Sequence, residues 1–281
     1  MIVSEMSKLA HEHITRSETC DLASVRRVAA MLDLDAAGFE EGDPLPRGWH
    51  FMLLGADTRR SDLRSDGYPG LGVPMPDLGL PRLLIGGRTV EYRSDLPIGA
   101  PVHRISGIDA LTERTTEAGR MAVVTVAHQL GVEGAEPAIV ERQTFLLFSA
   151  DKAGEARREA PQSATGRRLK QITPDATLLF QYSALGFNSH KIHIDRGHAR
   201  DVEGFPDLVV NGGLTTLLLT EFARVDLGLT PRTLSVKFTA PLFCDRAITL
   251  IGEPMPGMDR WMLSACDDRG HPAARMELVV K

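Results

Sequence analysis

The chain has 281 residues, 43% of them hydrophobic and 25% charged, with a formal net charge of −5. This is enough apolar material for a full core, and the mild acidity excludes the basic stripe with which proteins neutralise nucleic-acid phosphates. Cys20, Cys244 and Cys266 are too few and too scattered for a disulfide framework or a metal-ligand spacing, and they fit a reducing cytoplasm.

In chain order, the first twenty residues lack the basic start and apolar run of a secretory signal. No apolar run approaches the ~20 residues of a membrane helix, so no membrane partner is expected. Val25, Val28, Ala29 and Leu32 fall at helical spacing and predict a helix over 22–34 with Asp21 as its cap. Residues 42–81, broken only by a short apolar run at 49–54, are so rich in Gly, Pro and Asp that long elements are excluded, and the region reads as a covering segment rather than core. Strands are predicted at 90–92, 102–108, 121–130 and 139–148. The polar stretch 151–168 reads as a linker. After it come a strand at 176–183, a polar motif, a helix at 212–225, and strands at 234–238, 247–253, 260–267 and 273–280.

Residues 90–102 can be laid without gaps over 236–248, with apolar positions coinciding at Val90/Val236, Tyr92/Phe238, Leu96/Leu242 and Val102/Ile248. This predicts a duplicated α+β unit, with halves at 1–150 and 171–281 joined by a linker over 151–170. Shifted back by the repeat offset, the second-half helix lands on 66–79, where three prolines and four glycines preclude a buried helix. One site per pair of repeats is therefore expected, in the second half.

The polar motif places Asn188, His190 and His193 within six residues. One helical turn would set the two histidines on the same side. Such a group suits acid–base work, although a His-x-x-His pair also fits ordinary core or surface histidines. No metal is expected, since Asp195 is the one carboxylate at ligand spacing. Downstream, Asn211 is a good N-cap, and Gly212 and Gly213 let another group approach the backbone closely. Leu214, Leu217, Leu218, Leu219, Phe222 and Val225 then make an apolar helix. Its free N–H groups favour an oxygen gaining negative charge, unless the two glycines are only a structural cap.

Residues 180–195 (FQYSALGFNSHKIHID) and 204–214 (GFPDLVVNGGL) resemble the hydroxyacyl-thioester dehydratase type 2 branch of the MaoC-like hydratases, the branch that includes mesaconyl-CoA and itaconyl-CoA hydratases. Residues 42–50, 80–82 and 86–93 are similar to that group's amino-terminal signatures. The resemblance implies an α+β double hot-dog fold: each half a helix, or its remnant, wrapped by antiparallel sheet, with the substrate tunnel between halves. It implies a cofactor-free hydro-lyase that reversibly adds water to an enoyl thioester, with an acyl-CoA or acyl-carrier thioester as partner and a homo-oligomeric (dimeric) state. His193 matches the histidine of the catalytic Asp/His pair of R-specific enoyl-CoA hydratases. Their Asp falls on Asn188, which cannot accept a proton at neutral pH. Asn211 stands where many relatives have His. In this reading His193 is the acid/base, Asn188 positions water, His190 orients, and Gly212 or Gly213 binds the thioester oxygen. Lys191, Arg82 and Arg196 are the candidate cations for a substrate with a second carboxylate. Two rival readings are a thioesterase using Glu221 and a non-catalytic thioester-binding subunit.

Overall fold

The computed structural model describes residues 12–116, 119–149, 159–162, 167–257 and 259–280. A short strand, β1 (Ile14–Thr19), leads into helix α1 (Leu22–Met31), which starts where Asp21 accepts a hydrogen bond from the Ser24 N–H (2.8 Å). After a long irregular segment come β2 (Arg82–Tyr92), β3 (Pro101–Thr116), β4 (Gly119–Val132) and β5 (Ile139–Phe148). The second set comprises β6 (Arg168–Ile172), α2 (Ala176–Leu185), the single turn α3 (Lys191–Ile194), α4 (Gly212–Glu221), and β7 (Pro231–Phe238), β8 (Ile248–Pro254), β9 (Arg260–Cys266) and β10 (Pro272–Val280).

The ten strands among the described residues join one antiparallel sheet in the order β1-β3-β4-β5-β2-β7-β10-β9-β8-β6. The order of the first five strands is thus repeated in the second five, and α2 follows β6 as α1 follows β1. The two sets meet along β2 and β7, paired from Gly87↔Lys237 to Glu91↔Thr233. This is an α+β double hot-dog. Helix α4 is buried along its length from Leu214 to Glu221, its three threonines and Glu221 included, and packs against β7, β9 and β10. No helix occupies residues 63–81. There Leu71, Val73, Met75 and Leu78 pack over Leu80, Val124, Phe145 and neighbouring residues of β4 and β5.

Three expectations need correction. Residues 176–183 are helix, not strand: Asp175 caps the first turn by accepting from Leu178 N–H (2.8 Å), and buried Leu179, Tyr182 and Ser183 recur at helical spacing. The run at 49–54 is core, not cover; Trp49 is fully buried and Phe51 stacks on Tyr182 (4.5 Å between centroids). Val225 lies past the end of α4 and is half exposed, so the apolar stripe ends at Phe222. Strands β1 and β6, both edge strands, were not expected. The expected linker falls largely outside the described residues, and β6 begins within its last residues.

Candidate active site

The polar motif begins where α2 ends. Phe187 takes a left-handed backbone (φ 47°), and the Asn188 N–H returns to the Ser183 carbonyl (2.8 Å), closing the helix. The Asn188 side chain then accepts from the His190 N–H (3.1 Å), which turns the chain into α3. One helical turn brings the His190 and His193 rings edge to face, 5.4 Å between centroids. His193 Nδ1 lies 2.7 Å from the Val209 carbonyl. A carbonyl only accepts, so Nδ1 carries the proton and Nε2 keeps its lone pair. Burial, with His190 beside it, pushes the His193 imidazole down to about 3, so it is neutral at physiological pH.

Helix α4 starts next to these rings. Asn211 occupies its N-cap position, yet its side chain makes no capping bond. Instead Nδ2 donates to Ser183 Oγ (3.3 Å), and Oδ1 is buried with no partner among the described residues. The two glycines are required by close approach. A Cβ on Gly212 would lie 2.7 Å from Ile85, and one on Gly213 would strike the Tyr182 hydroxyl.

The segment that replaces the first-half helix docks onto the motif. The Lys191 N–H donates to the Asp66 carbonyl (2.8 Å), and Ser189 Oγ donates to the Gly67 carbonyl (2.7 Å). This sets the Asp66 carboxylate 3.8 Å from His190 Nε2, with the Tyr68 ring on the same imidazole. Burial pulls the His190 pKa down, while the negative charges of Asp66 and Glu203 pull it back up. Together these elements enclose a cavity of about 1470 Å³ lined by Asn188, His190, His193, Asn211, Gly212 and Gly213. Its apolar wall includes Leu83, Ile85, Phe145 and Phe238. This is the composition of a small-molecule site: a largely apolar wall with a few converging polar groups.

Residues 48–244 match the sequence model of one family, the hydroxyacyl-thioester dehydratase type 2 proteins. The chain belongs to that family. It is 32% identical over 236 residues to "Mesaconyl-C(4)-CoA hydratase" of Chloroflexus aurantiacus, spanning 83% of each chain. It is 24% identical over 217 residues to "Hydroxyacyl-thioester dehydratase type 2, mitochondrial" of Schizosaccharomyces pombe, 64% of this chain and 67% of that one. Among solved structures it is similar to a MaoC-like dehydratase from Phytophthora capsici (TM-score 0.74, 15% identity, 98% and 97% of the two chains). The chain is therefore an enzyme of the hydratase/dehydratase class.

The fold thus gathers six of the nine residues that the hydratase reading singled out from sequence. The three candidate cations lie off the cavity wall: Lys191 Nζ reaches out to the Ser65 carbonyl (2.7 Å), and Arg82 pairs with Glu203 (2.8 Å). Arg196, likewise, is tied to Asp207 and Asp245 at the surface. Sequence reasoning missed Asp66, Tyr182, and a buried polar group from the first half. In that group Glu141, wholly buried, receives His50 Nε2 (2.6 Å), Gln143 Nε2 (2.8 Å) and Arg88 Nη1 (3.3 Å). Burial opposes its charge, but Arg88 and His50 outweigh burial and hold the carboxyl at about 2. His50 and Arg88 lie inside the signatures at 42–50 and 86–93, which was the available signal.

Proposed function

We propose that this enzyme adds water reversibly across the double bond of an enoyl thioester, of the enoyl-CoA type, with the chemistry centred on His193. The observation that carries the reading is the His193 tautomer. Its Nδ1–H is fixed on the Val209 carbonyl, so a neutral Nε2 lone pair is available in a cavity shared with the first turn of α4. In the hydration direction Nε2 takes a proton from water as the oxygen bonds the β-carbon. The π electrons move onto the thioester as an enolate, whose oxygen is met by the N–H of Gly212 or Gly213; one such donor is typically worth ~3 kcal/mol. The proton on His193 then passes to the α-carbon, and no proton is gained or lost overall.

Asn188 has its side-chain oxygen committed to the His190 N–H, which leaves its amide nitrogen to hold the water oxygen. Asp66, behind His190, supplies from another segment the carboxylate that Asn188 lacks. The relative from Chloroflexus aurantiacus suggests a branched dicarboxylic acyl-CoA such as mesaconyl-CoA as the substrate to try first. The thioesterase reading loses its carboxylate, because Glu221 accepts from Trp49 Nε1 (2.8 Å) and pairs with Arg224, away from the cavity.

The test is turnover of enoyl-CoA thioesters, followed by loss of enoyl absorbance with thiol release monitored in parallel. His193→Ala should lower kcat by more than ~100-fold in a folded protein. An unchanged rate, or stoichiometric release of free thiol, sinks the assignment.

A further inference from the structure

The cations nominated from sequence to meet an anionic substrate lie off the cavity lining, which instead carries three other guanidiniums: Arg269 is exposed, Arg246 sits over the Phe243 ring (5.1 Å), and Arg88 is the one set against α4. Arg88 projects from β2 beside the seam with β7, its side chain only 9% exposed, and it lines the cavity. Its Nη1 meets Glu141, and its Nη2 lies 3.5 Å from where a Cβ of Gly213 would be, against the first turn of α4. Its Nε is buried with no partner among the described residues.

Glu141 does not use up this cation. It already receives His50 and Gln143, and it takes one of the five N–H groups that a guanidinium offers. Nη2 stands by the positive end of α4, in a cavity whose wall includes the apolar side chains of Ile85 and Phe238. A buried guanidinium with donors unfilled in such surroundings is costly unless an anion completes it. Tyr182, neutral because burial raises its pKa, sets its hydroxyl against the same turn, as a further donor for the same anion.

We infer that Arg88 is the receptor for a carboxylate at the far end of a short acyl chain, and so the residue that selects dicarboxylic over monocarboxylic thioesters. This rests on the hydratase reading, which puts the thioester oxygen at Gly212 or Gly213. Arg88 borders that same helical turn, so the carbon chain between the two ends is short, about three or four atoms at ~1.5 Å per bond. Glu141 and His50 are positioning residues here: they hold Arg88 and touch no substrate.

The test separates binding from turnover. Saturated thioesters cannot be hydrated, so the affinities of succinyl-CoA and butyryl-CoA for the full chain are compared by calorimetry. Succinyl-CoA should bind at least about 30-fold more tightly, the usual consequence of filling a buried charge site. Arg88→Met should reduce that ratio to within about threefold. Equal binding by the wild type, or a ratio that survives Arg88→Met, overturns the proposal. So does an equal loss for both ligands, which would place Arg88 at the thioester oxygen instead. If the single variant unfolds, Arg88→Met/Glu141→Gln removes the stranded carboxylate and gives the same ratio test. A succinyl-CoA preference in a protein that hydrates no enoyl-CoA would overturn the hydratase reading while upholding the carboxylate receptor.

Discussion

At the scale of single residues, the structure holds the histidines of the candidate site neutral and oriented. His193 needs no carboxylate partner because a backbone carbonyl fixes its tautomer, whereas His190 has one, Asp66, 3.8 Å away. Asp66→Asn keeps the backbone carbonyl that receives Lys191 N–H and removes only the charge. We expect kcat to fall about tenfold, the usual scale for a group that orients another. Because Asp66 raises the His190 pKa, its loss should move the acid limb of the kcat profile to lower pH; a limb that moves up or stays put contradicts the pairing. Asp66 was invisible in the sequence for a plain reason. It sits in a Gly/Pro-rich run where an acidic residue usually means a solvated turn, and its partner is more than a hundred positions away. Glu141 and His50, 91 positions apart, are hidden in the same way. The histidines were legible because one helical turn is a local rule.

At the scale of elements, the start of α4 was the most legible feature: Asn-Gly-Gly before a leucine run admits few other readings. What spacing could not show is why the glycines must be glycines. Gly213→Ala would drive a methyl into the Tyr182 hydroxyl and displace the first turn. Since a misplaced oxyanion donor acts on the transition state, kcat/KM should drop by about 100-fold or more, with melting temperature lowered only modestly. Stopped-flow or steady-state assays beside a thermal melt would decide this, and wild-type activity in Gly213→Ala would rule out α4 as the thioester anchor. Helix α2 was misread because Leu-Leu-Phe-Gln-Tyr-Ser is apolar enough for either state, and periodicity does not separate a short buried strand from a helix. Its cap at Asp175 and the exposed partner face of Phe180 settle it as helix.

At the scale of the whole molecule, buried polar groups tie stability to pH. His193 is held at about 3 and His128, bonded to Ser106 Oγ (2.8 Å), at about 4, both chiefly by burial. Unfolded, each would titrate near 6.5, so below that pH the unfolded chain binds protons that the native one refuses. Stability must therefore fall as pH drops below 6.5, by on the order of 2 kcal/mol per histidine at pH 5. Denaturant unfolding at pH 7.5 and pH 5 measures this, and His128→Asn should shrink the difference; equal midpoints at the two pH values would contradict it. The strand order repeated across the β2–β7 seam has another consequence. In a pair of identical subunits every substitution appears twice, so neither copy can abandon its helix without the other doing so. Joined in one chain, the halves are free to diverge: one keeps the helix, and the other spends its vacancy on a loop that lends Asp66 to its neighbour. Broken symmetry, more than any single side chain, is what lets two folds of the same shape make one asymmetric site.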